Sequence, residues 1–398
     1  MVPTPSMPDS IADANRAAVR AMSAGDFHGA QAILRRALLV ATDNTNLWLN
    51  LAASCRALGD DDGALEALEG ALRVSPRAFR ALLMKGSLLE KRGERRQAAM
   101  LYGAAVALVP RRDVLDDATR SALDHGQRMH MAYVDELAAY IHREMGPIET
   151  RGDSVSARRV ARFVELTLGR KQNYRQEPTE FFYPGLPAIE FWEREEFPWI
   201  GEFERAAPRM RAELLEILRD DFRDFVPYVD YPDGLPLDQW KALNQSRRWG
   251  ALHLLKAGER VEENCRRCPQ TLAALEPLPL PRVPRRSPAA MFSALQPGTR
   301  IPPHTGVANT RLVVHLPLIV PEGCGFRVGN ETRHWREGQA WVFDDTIEHE
   351  AWNDSAEPRV IFICDVWNPR LSEFECQLIA EMMMAMDKFN GFVPETGL

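Results

Sequence analysis

Three residues in the last quarter of the chain have types and spacing suited to a metal centre. His304 stands in a His-Thr-Gly triplet, His349 follows 45 residues later, and Arg359 ten residues after that. Neutral imidazole is a good ligand for Fe(II), and two histidines on facing strands can hold adjacent positions on one ion. A carboxylate commonly completes such a set. Its usual place, two residues after the first histidine, is Gly306, which leaves space but cannot ligate. Asp344 and Asp345 are alternatives for a third ligand, with a turn or supporting role as the competing reading. Arg359 offers a planar, permanently charged partner for a carboxylate. The competing reading is a surface charge at a sheet edge, but RVIFICDVW, which it opens, reads as a buried strand.

The elements that must position these residues are short apolar runs bounded by turn signals. WGALHLLKAG, AAMFSALQPG, TRLVVHLPLIVP, GCGFRVG, QAWVFDD and RVIFICDVW are six strand candidates, and their spacing predicts a double-sheet jelly roll. Strand alternation places Arg311, Val313 and His315 on one face, and Leu312, Val314 and Leu316 on the other. RAAPRMRAELLEILRDDF reads as a helix, as does the terminal EFECQLIAEMMMAMDKF, whose methionines are expected to fill core. PLPLPRVPRRSP (277–288) reads as a solvated connector or, alternatively, a basic guard over the site mouth. Cys265 and Cys268 form a lone CxxC with no second ligand pair, so a thiol pair is favoured over structural zinc.

The first third repeats with a period of 34 residues. Ala18, Ala52 and Gly86 align, as do Gly25, Gly59 and Gly93; Ala30, Ala64 and Ala98; and Ala37, Ala71 and Ala105, with Pro76 and Pro110 closing two of the units. Small residues at fixed intervals allow two helices to cross closely, and the pattern resembles the tetratricopeptide repeat. The array reads either as a helical spacer or as a concave surface for a peptide. Residues from about Val114 onward continue as amphipathic helices, broken at Gly146-Pro147 and Arg151-Gly152-Asp153. His125, His130 and His142 read as surface or interface residues. The expected organisation is three repeats over 12–112, a helical cap or linker over 113–175, and the jelly roll over 176–398.

Composition narrows the class. Of 398 residues, 26% are charged, and the net charge of -7 gives no basic field for nucleic acid. Six cysteines in this length do not suggest a disulfide framework. The first residues show neither a basic region nor an apolar stretch, and no run of about 18 apolar residues exists. The expectation is a cytoplasmic protein with no nucleic-acid or membrane partner.

The segment 292–369, with PGT-x4-HTG, NET-x2-W-x2-G, FDD-x3-HE-x-W and DVW-x-P, resembles the aspartyl/asparaginyl β-hydroxylase family, and PGLP (184–187) and FPW (197–199) fit it too. The resemblance covers roughly residues 176–375. It implies a multidomain chain, with a helical repeat solenoid followed by a double-stranded β-helix (jelly-roll, cupin-like) domain. It also implies an Fe(II)- and 2-oxoglutarate-dependent dioxygenase, using O2 and hydroxylating an unactivated carbon. That carbon would be the β-carbon of an Asp- or Asn-type residue in a peptide or protein. The alternatives are a small-molecule or lipid hydroxylase, or a non-catalytic repeat scaffold with a metal- or acid-binding jelly roll.

On the same resemblance, His304 and His349 are the metal ligands and catalytic centre, and the missing carboxylate at Gly306 matches the family. Arg359 and Ser293 hold the distal carboxylate of 2-oxoglutarate, and His315 lies near the metal end of that co-substrate. Arg311 matches a substrate-pocket arginine, and Trp249 lines the pocket. Trp335, Trp341, Trp352 and Trp367 are expected in the core. The family often reads RLR-x-H where this chain reads RLVVH, so Val313 replaces a second arginine. The repeats are expected to help recruit a peptide or protein substrate.

Overall fold

The computed structural model describes residues 10–109, 115–148, 152–232, 234 and 237–391. Pro110, Val114, Arg151 and the expected boundaries at 112, 113 and 398 lie outside the described residues. The chain divides into two compact units, Met1–Leu168 and Gly169–Leu398.

The first unit contains the helix pairs that the period requires. They are α1 (Ile11–Ser23) with α2 (Phe27–Leu38), α3 (Thr45–Ala57) with α4 (Asp61–Val74), and α5 (Phe79–Lys91) with α6 (Arg95–Leu108). The turns are the same turn three times: Gly25, Gly59 and Gly93 have φ of +79°, +77° and +79°. Glycine is the residue that takes this left-handed backbone without penalty. Asp26 and Asp60 follow as N-caps, accepting from the amides of Gly29 and Gly63. The aligned alanines are buried at the helix crossings. At Gly70 a Cβ would meet the Trp48 ring at 2.6 Å, so the bulk at one position needs the void at the other. Beyond the repeats run α7 (Asp117–Met145) and α8 (Ser154–Thr167). His125 bonds Glu90 and His130 bonds the Ala99 carbonyl, both as interface residues.

In the second unit, α9 (Ile200–Ile217) precedes β1 (Val226–Pro227), β2 (Trp249–Lys256) and β3 (Glu259–Arg260). Two short helices follow, α10 (Glu262–Arg267) and α11 (Pro269–Leu275). The remaining strands are β4 (Ala290–Leu295), β5 (Thr299–His304), β6 (Arg311–Ile319), β7 (Cys324–Val328), β8 (Glu331–Arg333), β9 (Trp341–Phe343), β10 (His349–Asn353) and β11 (Arg359–Trp367). The last helix is α12 (Glu373–Asn390). The major sheet runs β1-β2-β4-β11-β6-β9 with β3 on β2, and the minor sheet runs β5-β10-β7-β8. Every paired strand is antiparallel.

Alternation along β6 and β11 sorts the side chains between two cores. Leu312, Val314, Leu316 and Phe362 join the apolar stripe of α9 (Phe203, Ala207, Met210, Leu214) on the outer face of the major sheet. Val313, Ile361 and Ile363 face the minor sheet and meet Ile301, Phe326 and Ala351. The site lies in this second layer.

All six strand candidates are strands. β1, β3, β5, β8 and β10 are additional, and β5 and β10 between them carry both candidate histidines. β5 contains Pro302 and Pro303, which an edge strand tolerates because those positions need not donate to a neighbour. Two expectations are corrected. The 277–288 segment is not a solvated connector: Leu278, Leu280 and Val283 are buried, and Arg286 forms a two-point ion pair with Asp387 of α12. The α12 methionines do not mainly fill core: only Ile379, Met383 and Asp387 are buried, while Met382, Met384 and Met386 are exposed. The helix rests on a narrow i, i+4, i+8 seam against Val283. Among the described residues, no helix is long and apolar enough to cross a membrane.

Candidate functional site

The minor sheet brings the two histidines together. His349 opens β10 directly opposite His304 at the end of β5, and their ring centroids are 4.0 Å apart. Each ring places Nδ1 on the carbonyl two residues earlier, His304 on Pro302 at 2.8 Å and His349 on Ile347 at 3.1 Å. A carbonyl can only accept, so Nδ1 carries the proton and Nε2 keeps its lone pair. Burial lowers the pKa of His304, and burial together with His304 takes that of His349 well below the usual value. Both rings are therefore neutral, as ligands must be.

Gly306 has a steric reason as well as a chemical one. A Cβ there would lie 2.0 Å from Asp345 Oδ2, while the Gly306 amide donates to the Asp345 carbonyl at 2.7 Å. A carboxylate thus stands beside the glycine, supplied from the turn before β10. Asp345 is buried, its Oδ1 has no hydrogen-bond partner, and burial pushes its carboxyl up to about 7 against the opposing charge of Arg311. Asp344 is different: it accepts from Thr346 and Gln176 and closes the turn. Among the described residues, no group of three or more His, Cys, Asp or Glu side chains is arranged to hold a metal.

Arg359, Ser293 and His315 stand on the inner faces of adjacent strands β11, β4 and β6. Arg359 is 1% exposed on a central strand, so the sheet-edge reading is overturned. Its Nε and Nη1 have no partner, and its guanidinium lies 4.9 Å above the Trp335 ring. Burial pulls its pKa down to about 10, so it remains a cation. His315 Nδ1 is also buried without a partner, and burial and the Arg359 charge hold that ring neutral. Ser293 Oγ accepts from Trp249 Nε1 at 3.2 Å, which leaves its own O–H free to donate. An unpartnered buried cation is expensive.

Trp249 stacks on Tyr228 at 3.8 Å, and Trp240 approaches the His304 ring edge-on at 5.0 Å. Arg311 is not a free cation: its Nη1 bonds Asp365 Oδ2 at 3.3 Å, and Asp345 Oδ2 lies 3.9 Å from its Nη2. Tyr228, Trp240 and Asp365 were not anticipated from the sequence. The first two lie on an irregular segment without periodicity, and Asp365 is hidden inside an apolar strand. The one signal was Asp365 itself, a charge in an otherwise apolar run. The backbone of residues 177–181 closes the side of the site, with Glu177 N donating to Thr346 O and Thr179 N to Gly306 O.

Residues 192–369 match the family model described as aspartyl/asparaginyl beta-hydroxylase, and residues 21–88 match the tetratricopeptide repeat. Aspartyl/asparaginyl beta-hydroxylase of Homo sapiens is 29% identical over 92% of this chain and 45% of its own length. The Mus musculus protein of that name is 30% identical over 87% and 42%. Ornithine lipid ester-linked acyl 2-hydroxylase of Rhizobium tropici is 35% identical over 50% and 67%. The chain spans less than half the length of the two mammalian relatives.

Proposed function

The chain belongs to the aspartyl/asparaginyl β-hydroxylase family, and from that premise we propose that it is an Fe(II)- and 2-oxoglutarate-dependent dioxygenase. Its substrate is the β-carbon of an Asp- or Asn-type residue in a peptide or protein. The observation that carries the proposal is the Arg359 guanidinium, buried and unpartnered within the same inner layer as two neutral, Nε2-directed histidines.

The residues fit the two groups they would hold. His304 and His349 present Nε2 lone pairs from paired strands, and these two nitrogens would hold the iron. Arg359 takes the distal carboxylate of 2-oxoglutarate, and the Ser293 hydroxyl donates to the same group. The neutral His315 ring adds a polar contact without competing charge. Iron and co-substrate, when bound, supply the O2-activating chemistry, and the protein supplies orientation and electrostatics. Trp240 and Trp249 give His304 an aromatic flank, and Tyr228 stacks behind Trp249. Gly306 keeps the adjacent position small, and Asp345 offers a hydrogen-bond acceptor there. The repeats of the first unit recruit the peptide.

The test is an anaerobic titration of Fe(II) and 2-oxoglutarate into the purified protein, followed by the weak visible charge-transfer band. His304→Ala and Arg359→Ala are run in parallel. A band lost in both variants supports the proposal. A folded protein that binds no metal and shows no band overturns it. The name of the Rhizobium tropici relative favours a second reading, hydroxylation of an acyl chain, which a parallel screen of acyl amphiphiles against peptides decides.

A further inference from the structure

His304 and His349 face each other at the end of a strand pair whose register slips just there, between His349 and Ala351. The ladder alone therefore does not fix how the two rings stand. Each strand end runs into a turn, and the segment 176–183 crosses both turns. On the His349 side, Glu177 N donates to Thr346 O at 2.7 Å; on the His304 side, Thr179 N donates to Gly306 O at 2.9 Å. One side chain joins the two sides. Gln176 Nε2 donates to Asp344 Oδ2 at 2.6 Å, and Gln176 Oε1 accepts from Asn309 Nδ2 at 3.1 Å.

Both partners are fully buried, and they lie five residues before His349 and five after His304. Each is also fixed to its own turn. Asp344 Oδ1 accepts from the amide and the hydroxyl of Thr346. Asn309 accepts from Tyr183 N at 2.7 Å and donates to Tyr183 O at 2.9 Å. Ile347 N donates to Asp344 O at 3.3 Å, so the carbonyl that orients His349 belongs to the turn that Gln176 grips. A carboxamide suits this place because it offers a donor to the carboxylate and an acceptor to the amide from one planar group.

We propose that Gln176 is a positioning residue for the paired histidines: its carboxamide clasps the two turns and so sets how the two rings stand toward a shared ion. The inference rests on the metal reading above for what the rings hold, whereas the clasp already acts in the metal-free protein. Supporting partners of this kind change metal affinity by about ten- to a hundred-fold.

The test is made on the full chain with two readouts. The affinity for Mn(II) alone is followed by electron paramagnetic resonance. The Nδ1–H signals of His304 and His349 are followed by 15N spectra of the metal-free protein and assigned with His304→Ala and His349→Ala. Gln176→Leu keeps the bulk and removes both bonds. It should lower Mn(II) affinity by about ten-fold or more and move both imidazole signals, with the circular dichroism kept. Asp344→Asn alone sets an N–H against an N–H and should weaken Mn(II) binding too. Adding Gln176→Glu to it reverses donor and acceptor and keeps the bond from Asn309, so affinity should return to within about three-fold of the wild type. Unchanged Mn(II) affinity and imidazole signals in Gln176→Leu overturn the inference. A loss in Asp344→Asn that Gln176→Glu does not restore overturns it as well, even where Gln176→Leu fails to fold, because the loss then follows general destabilisation. A wild type that binds no Mn(II), with the imidazole signals still moved in Gln176→Leu, removes the metal reading and leaves the clasp standing.

Discussion

Replacing Arg359 with methionine should stabilise the ligand-free protein while abolishing its response to 2-oxoglutarate. The guanidinium is buried, with Nε and Nη1 unpartnered. Each buried unsatisfied donor costs about 1–3 kcal/mol. The same penalty is visible in its acidity: burial pulls the pKa from the usual arginine range down to about 10, a displacement worth roughly 3 kcal/mol. A cation whose folded-state pKa is depressed weakens the fold at every pH below about 10, and the penalty fades only as pH rises past that value. The Trp335 ring 4.9 Å away offsets about 1–2 kcal/mol of it. Methionine keeps most of the packing of the stem, so the net gain is about 2 kcal/mol. For a unit of this size that is roughly 4–8 °C in melting temperature. Scanning fluorimetry with and without 2-oxoglutarate checks both halves. The wild type should rise with ligand, and the variant should start higher and not move. A variant that melts below the wild type and is still stabilised by 2-oxoglutarate would refute the argument, because the guanidinium would then have a protein partner and the anion another site.

Other substitutions probe other parts of the argument. Gly306→Ala drives a methyl against Asp345, whose carboxylate is 2.0 Å from the Cβ position; succinate formation should fall at least ten-fold with the circular dichroism unchanged, and an unaltered rate would remove the steric role. Burial, assisted by Lys256, lowers the His253 pKa to about 4. Such a base contributes its full stability above pH 6.5 and loses it as pH falls toward 4, by up to roughly 3 kcal/mol. His253→Phe should flatten the fall of the urea midpoint across that window, and a parallel fall would show that another group titrates there. At Gly59, φ is +77° and a Cβ would meet nothing within 4 Å, so Gly59→Ala should cost only the backbone term, about 1–2 kcal/mol, read from helical circular dichroism in urea. A negligible cost would mean that the turn relaxes.

The site was legible in the sequence to the extent that local chemistry announces itself. His304, His349 and Arg359 stood in motifs, and the alternation of β6 alone put Arg311, Val313 and His315 on the face that the structure turns inward. The 34-residue period fixed the helix pairs, because a glycine at φ near +78° and an alanine at each crossing are local requirements repeated three times. Tertiary structure decided what depends on partners distant in sequence. Gly306 is small because of Asp345, 39 residues away. Arg311 is neutralised by Asp365, 54 residues away. Met382, Met384 and Met386 of α12 face outward because one narrow seam, which includes Met383, suffices to seat that helix. Residue type and spacing record which groups are available for chemistry. Which of them are already satisfied by one another depends on burial and sheet register, and only the assembled core sets those.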